Sequence, residues 1–292
     1  MSKKDWLEKR KQGLGGSDAA PALGLSPWKT PYQLYLEKRG EIEGQGDNER
    51  MFWGRTLEQP IRQHYSDLTG RTVIVPSELL VSPKYPFMIA NPDGIADGRV
   101  VEVKTAGSDT GWGDPGTDEI PDHYALQCQH YMIVTELPVT DVAVLIRGSD
   151  FRIYEVPEDR ELQEIIIERE ALFWDMVQAG QPPQATTYDD LKLRFGSMSK
   201  AITVQADNEA IVAVSRLKQL KEIAKEEEAL KAVIMGILGE ADTLMYGDQV
   251  LATWKATKSG ERFDQKAFQK AHPELYKEFM VATQPTRRLL VK

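Results

Sequence analysis

Asn91-Pro92-Asp93-Gly94, followed from Arg99 by Arg-Val-Val-Glu-Val-Lys-Thr105, is the stretch that decides the fold. Asn-Pro-Asp-Gly is a turn tetrad, because proline presets φ and glycine accepts a positive one. The β-branched run 99–105 reads as a strand. Alternate side chains of a strand share a face. Glu102 and Lys104 therefore point one way, while Val101 and Val103 point into an apolar layer. Asp93 sits where one strand turns into the next, close to the Glu102 face. Two carboxylates and an ammonium then converge at one sheet edge. A hard divalent cation such as Mg²⁺ takes one or two carboxylates, with waters and substrate phosphates filling its shell. Such an ion makes a water nucleophilic and stabilises both oxygens of a phosphodiester exchange. A lysine beside it orients that water and neutralises developing charge.

An acid-x-Lys triplet alone is a weak signal, and the chain supplies its own control. The triplet occurs at Glu102/Lys104, Asp190/Lys192 and Asp264/Lys266. An exposed salt-bridged pair is the ordinary explanation for such a triplet. Asp264 opens a helix and Asp190 lies in a polar linker. Only Glu102 stands in a β-branched run behind a Pro-Asp-Gly turn, and that context favours a metal site.

Working outward, the chain has 292 residues, a net charge of −9, 41% apolar and 28% charged residues. This is ordinary globular composition. It excludes a disordered chain, a collagen and a coiled-coil rod. No run of apolar residues is long enough to span a bilayer, and Met1–Trp6 has no apolar stretch of the signal-peptide kind. A single cysteine, Cys128, excludes a disulfide framework and a multi-cysteine metal site. The expected compartment is a reducing cytoplasm. Residues 1–184 carry 19 basic and 30 acidic side chains, and residues 185–292 carry 17 and 15. That is no basic DNA-coating footprint. Nucleic-acid contact must come from local patches, or the acidic excess gathers carboxylates around cations. His64, His123, His130 and His272 show no metal spacing. No glycine-rich loop ends in Gly-Lys-Ser/Thr, so nucleotide hydrolysis is not expected.

Gly13–Ala20 reads as a tight turn into a helix, with Ser17 as N-cap and Asp18 as a first-turn acid. Thr30 caps a helix that opens on Pro31 and stops at Gly40. Residues 50–69 are a helix disturbed at Pro60. Short β runs follow at 72–76, 78–82 and 87–90. Beyond the 99–105 strand lie a glycine-rich loop (106–118), a helix (122–135), a hairpin (139–147 with 151–156) and a long helix (158–179). A second part begins near 186. It holds a charged amphipathic helix over 206–238 with Leu217, Leu220 and Ile223 on its apolar face. Strands near 243–245 and 249–255, a helix from Asp264 and a basic tail at Arg287-Arg288 complete it. The expected architecture is α/β. A mixed central sheet flanked by helices is followed by a mainly helical extension with a small β element.

Asp93, Glu102 and Lys104 resemble the PD-(D/E)XK nuclease signature. The wider pattern is Trp6-x3-Arg10, Gly15-Gly16-Ser17-Asp18, Trp53-Gly54-Arg55-x-Leu57-Glu58 and Gln127-x3-Tyr131. It resembles the lambda-type exonuclease or YqaJ-like viral recombinase family over about residues 5–180, in the family's motif order. The resemblance implies a restriction-endonuclease-like fold, with a nuclease domain at 1–184 and an accessory domain at 185–292 for oligomerisation, DNA or partner contact.

It also implies roles. Glu58, Asp93, Glu102 and the Val103 carbonyl would hold two Mg²⁺ ions, which Mn²⁺ can replace. Lys104 would be the catalytic lysine and Gln127 an active-site glutamine. Arg10 and Ser17 match a pocket for a 5′-terminal phosphate. A Gly-Gly-Ser turn at a helix start also presents free N–H groups to an anion, and Arg10 adds a bidentate contact. The residues alone leave alternatives. On the residues alone Glu58 reads better as a solvated helix residue, and Gln127 could be a polar helix position and Tyr131 a core ring rather than a DNA contact. Trp112 either stacks on a base or anchors its loop. That loop carries Asp109 and Asp114 but no lysine or arginine.

The implied activity is Mg²⁺-dependent digestion of double-stranded DNA from the 5′ end, leaving 3′ overhangs for a strand-annealing recombinase. The setting would be the cytoplasm of a bacterial host, encoded by a phage or prophage. The implied assembly is a homo-oligomer, often a trimeric ring. An endonuclease, a nuclease of other polarity and a non-catalytic DNA-binding adaptor are the alternatives.

Overall fold

The computed structural model describes residues 10–44, 46, 48–197, 202–257, 260–282 and 286–291. Trp6 of the first motif lies outside the described residues. The chain divides into two compact units, Met1–Leu191 and Lys192–Lys292.

The first unit is built on a four-stranded mixed sheet of β3 (Gly94–Ala96), β4 (Arg99–Ala106), β5 (Val139–Ile146) and β6 (Asp150–Pro157), in that order. β3 and β4 pair antiparallel with Gly94 opposite Val101. β4 and β5 pair parallel with Glu102 opposite Val142. The connection between those two parallel strands needs a crossover. α4 (Asp122–Thr135) supplies it. β1 (Leu80–Val81) and β2 (Ile89–Ala90) form a separate antiparallel pair. The expected 72–76 strand contributes only the bridge Ile74 to Ile95, since Pro76 cannot donate to a ladder.

The alternation expected of β4 is present. Val100 packs with Leu126 and Ile166 on the α4 side. Val101 and Val103 pack with Ile61 and Tyr65 of α3 (Glu49–Thr69) on the other. Both faces of β4 are thus covered, as a parallel pairing demands. α3 starts on Asn48, whose side chain accepts from Met51 N–H, and ends on left-handed Gly70. It runs through Pro60 without a break, against the expected disturbance.

α1 (Gly16–Ala22) corrects the cap assignment: its N-cap is Gly15, not Ser17. Asp18 reaches back to accept the Gly15 N–H at 2.9 Å, which leaves the Ser17 hydroxyl free of capping duty. α2 (Pro31–Lys38) has the expected Thr30 cap, accepting from Gln33 N–H at 3.1 Å. α5 (Arg160–Ala179) is capped by Asp159 and crosses α4, where His130 meets Glu170 at 2.8 Å. The other ring nitrogen of His130 faces the Ile89 carbonyl at 2.9 Å. This buried contact fixes β2, and with it the Asn91–Asp93 turn, against α4. α6 (Tyr188–Phe195) begins at the end of this unit and runs past Leu191. Asp190 is no linker residue: it is fully buried and accepts the Thr30 hydroxyl at 2.8 Å.

The second unit contains α7 (Asn208–Leu238), capped by Asp207. The β7 (Thr243–Tyr246) and β8 (Gln249–Thr253) hairpin carries a bulge at Leu244/Met245. Two short helices follow, α8 (Gln265–Ala271) and α9 (Pro273–Glu278). Asp264 of the third acid-x-Lys triplet is the N-cap of α8. Among the described residues no helix is long and apolar enough to cross a membrane.

Candidate active site

β4 carries Glu102 and Lys104 onto the α4 side, where both are largely buried. Lys104 Nζ donates to Glu102 Oε1 at 2.5 Å and to Gln127 Oε1 at 3.1 Å. Gln127 Nε2 donates to the same Glu102 oxygen at 2.6 Å and to the Tyr131 hydroxyl at 3.1 Å. One carboxylate oxygen, one amine and one amide thus form a closed triangle. The second oxygen, Glu102 Oε2, is buried and meets no donor. Leaving a buried carboxylate oxygen unsatisfied costs on the order of 1–3 kcal/mol. A bound cation would satisfy it.

Asp93 leaves the turn before β3 and crosses to β4, where its Oδ2 accepts the Val103 N–H at 2.7 Å. Its carboxyl is pushed up to about 8. Burial is the largest cause, and the neighbouring Glu102 and Glu58 carboxylates add to it. The Lys104 ammonium and the Val103 N–H oppose the shift without cancelling it. A carboxyl crowded by like charges in a desolvated site is one that a cation would relieve. Lys104 is itself pushed up: burial disfavours its ammonium, but Glu102 and Asp93 outweigh that. The lysine therefore stays cationic.

Glu58 comes from the middle of α3. Arg62, one turn further, donates through Nη1 to Glu58 Oε1 at 2.9 Å and to the Asp93 carbonyl at 3.0 Å. A single guanidinium nitrogen thus ties the helix carboxylate to the turn that holds Asp93. Sequence reasoning missed Arg62, although its i,i+4 spacing from Glu58 was visible. Among the described residues no three metal-ligating side chains are already closed into a cage. The donor set still fits a hard divalent cation. Asp93 and Glu102 with the Val103 carbonyl present oxygen, Glu102 Oε2 is orphaned, and Mg²⁺ sites usually leave waters and substrate oxygens to complete the shell.

These carboxylates share one cavity of about 190 Å³ with the N-terminal turn. Asp93, Glu102, Gln127 and Tyr131 line one side, and Arg10, Gly15, Gly16 and Ser17 the other. Arg10 Nη2 donates to the Ser17 hydroxyl at 2.5 Å. The turn is held from beneath by Asp18, whose carboxylate receives Lys38 Nζ at 2.7 Å. Burial pushes the Asp18 carboxyl up, but the Lys38 ammonium and Arg10 guanidinium overcome this and hold it well below the usual range. Gly16 is required by close approach: a Cβ there would sit 2.5 Å from the Tyr131 ring.

Of the sequence-derived residues, the structure brings Arg10, Ser17, Asp93, Glu102, Gln127 and Tyr131 to one cavity. Lys104 and Val103 adjoin it, and Glu58 is linked to it through Arg62. Tyr131 serves two roles, with its ring in the core and its hydroxyl in the cavity wall. For Trp112 the packing is that of the loop-anchor alternative. The side chain is only 9% exposed and packs at 5.2 Å from the Tyr154 ring and 5.8 Å from that of Tyr124. It anchors the 106–118 loop and presents no face to a base.

A mixed sheet that brings Asp93, Glu102 and Lys104 together between flanking helices defines the PD-(D/E)XK class of fold. The chain matches the model of the YqaJ-like viral recombinase domain over residues 5–138. It is 32% identical to the uncharacterized protein YqaJ of Bacillus subtilis (strain 168), over 95% of this chain and 91% of that one. The chain belongs to the YqaJ-like viral recombinase family. It is also 28% identical to protein R354 of Acanthamoeba polyphaga mimivirus over 47% of its length and 28% of that protein. Its fold is that of the alkaline exonuclease LHK-Exo of Laribacter hongkongensis. The two align with a TM-score of 0.51 and 19% identity, over 61% of this chain and 94% of that one. LHK-Exo in complex with dAMP aligns with the same TM-score and 20% identity, over 65% and 97%.

Proposed function

We propose that this chain is a divalent-metal-dependent exonuclease that hydrolyses duplex DNA from a 5′ end and leaves a 3′ single strand for an annealing recombinase. The observation that carries this reading is the shared cavity: an anion-binding turn and a carboxylate cluster open into one space. Family membership and the exonuclease fold support it, and so does a fold neighbour that holds a nucleotide.

Each residue then has a task. Arg10 and the Ser17 hydroxyl, beside the Gly16 N–H, bind a terminal phosphate by charge-assisted hydrogen bonds, while the Gly15 N–H is taken by Asp18. Asp93, Glu102 and the Val103 carbonyl hold the metal, Mg²⁺ by the hardness of these oxygens, and Glu58 adds a carboxylate from α3. When bound, the metal supplies Lewis acidity and a nucleophilic water. Lys104, with two of its three ammonium protons on Glu102 and Gln127, keeps Glu102 oriented and has one proton left for the attack site. Gln127 fixes the Glu102 Oε1 position and leaves Oε2 without a protein donor. Tyr131 closes the wall through Gln127. The second unit, a helical region with a small hairpin, is assigned to oligomer or partner contact. A ring-like homo-oligomer around DNA would make digestion processive.

The test is a digestion time course on end-labelled linear duplex, with and without a 5′ phosphate, beside a sealed circle, in Mg²⁺, Mn²⁺ or EDTA. The expected result is loss of 5′-end label from phosphorylated linear DNA in either metal, with circles intact and no reaction in EDTA. Circles cut as readily as linear DNA would refute the exonuclease assignment.

A further inference from the structure

The loop between α1 and α2 carries an aromatic side chain that the roles above do not use. Trp28 is 62% exposed, unlike Trp112. The loop beneath it is held in place: the Ser26 hydroxyl accepts the N–H groups of Trp28 at 3.2 Å and Lys29 at 3.3 Å. Lys29 is paired with Glu37 at 2.5 Å, and Thr30 caps the helix that follows. The Trp28 indole meets the His123 ring edge-on, with centroids 4.6 Å apart at 87°. His123 lies against Tyr124 with centroids 4.1 Å apart and planes tilted by 56°, and the Lys104 ammonium lies 4.7 Å over the Tyr124 ring. A row of rings thus leads from the lysine out to solvent.

Two features mark this row as more than packing. The first is exposure of the largest apolar ring at its outer end, where burial of an indole would stabilise the fold. The second is His123 Nε2, which is buried without a hydrogen-bond partner; such groups in native proteins ask for an explanation. Burial and the Lys104 charge hold the His123 imidazole below its ordinary value against the opposing charge of Asp122.

We propose that Trp28, backed by His123, is a stacking platform for an unpaired nucleobase of the substrate strand on its way to the active site. This deepens the DNA-exonuclease reading and rests on it. Aromatic platforms bind bases of any sequence, because every base has a π face, and each base so held strengthens binding by about 5- to 150-fold. Two rings out from Lys104, the platform takes up a base as it leaves the duplex. It thereby offsets the cost of unstacking at the end being digested. A duplex that reached the metal site fully paired would gain nothing from it.

The test is fluorescence anisotropy with the full-length protein in Ca²⁺ and in EDTA, under which gels confirm that no DNA is cut. The probe is a duplex with a short, unpaired, 5′-phosphorylated end, compared with the same duplex carrying abasic sites at the unpaired positions. Wild type should prefer the base-bearing end by about 10-fold. Trp28→Ala should lose that preference, and Trp28→Phe should keep most of it, both with unchanged circular dichroism. Equal wild-type affinity for the two probes, or a preference surviving in Trp28→Ala, overturns the platform. Equal weakening of both probes by Trp28→Ala also overturns it, by reducing the tryptophan to a loop support. A wild type that binds neither probe and digests no DNA in Mg²⁺ overturns the exonuclease reading itself, an outcome distinct from the others.

Discussion

Replacing Arg62 by alanine removes a contact that joins Glu58 to Asp93. The guanidinium Nη1 lies 2.9 Å from Glu58 Oε1 and 3.0 Å from the Asp93 carbonyl. Its loss frees the Glu58 rotamer and loosens the turn that carries Asp93. An i,i+4 ion pair with a half-exposed carboxylate contributes little to folding, on the order of 0.3–0.5 kcal/mol, so the melting temperature should hardly move. The effect on metal binding is larger, because partners that orient ligands are worth about 10- to 100-fold in affinity or activity. We expect Mn²⁺ affinity, read by electron paramagnetic resonance, to fall about 10-fold, with a parallel loss of cleavage at limiting metal. Saturating metal should restore most of the rate. Arg62→Lys should recover part of the affinity, since an ammonium reaches one acceptor well but not two in a fixed fork. In the Glu58→Gln background, Arg62→Ala should cost much less, because its partner is already disabled. If Arg62→Ala binds Mn²⁺ as wild type does and cleaves normally, the positioning argument is wrong.

Lys104→Ala should reduce cleavage by at least about 100-fold while the protein still folds, since Gln127 continues to hold Glu102; activity at saturating Mg²⁺ and a thermal melt check both halves. Asp18 has a depressed folded pKa, so its stabilisation is full above the unfolded value of about 3.9 and is lost as pH falls toward the folded one. Melting temperatures of wild type should therefore drop between about pH 5 and about pH 2. Asp18→Asn should melt lower at neutral pH, because it leaves Lys38 buried without its counter-charge, and should lack most of that acid-dependent drop. Cys128 is buried, and burial next to Glu102 pushes its thiol up. It should react with a thiol reagent only on unfolding, which a time course with and without denaturant measures.

The parts of this protein legible in the sequence were those set by local periodicity. The face assignment of Glu102 and Lys104 follows from strand alternation alone, and the Thr30-Pro31 start follows from cap chemistry. Reading failed where distant residues compete for a local role. Ser17 looked like the cap until Asp18 reached back to Gly15. Asp190 looked like linker until Thr30, far away in sequence, buried it. Trp112 sits in a polar glycine-rich loop, yet the Tyr154 and Tyr124 rings draw it inward. Trp28 looks no different in sequence, and the fold leaves it outside. Arg62 was visible only as a helix residue, because the Asp93 carbonyl it binds belongs to another element. The buried carboxylate Asp141, which receives Tyr65, Arg71 and Arg99, is likewise a product of tertiary pairing that no periodicity announces.

A manganese anomalous-difference map from crystals grown with Mn²⁺ and a 5′-phosphorylated duplex tests the metal centre most directly. The account predicts a peak within coordination distance of Asp93, Glu102 and the Val103 carbonyl, lost in Glu102→Gln. A map with no peak among those oxygens while Mn²⁺-dependent cleavage persists in solution, or a peak bound elsewhere, would contradict it.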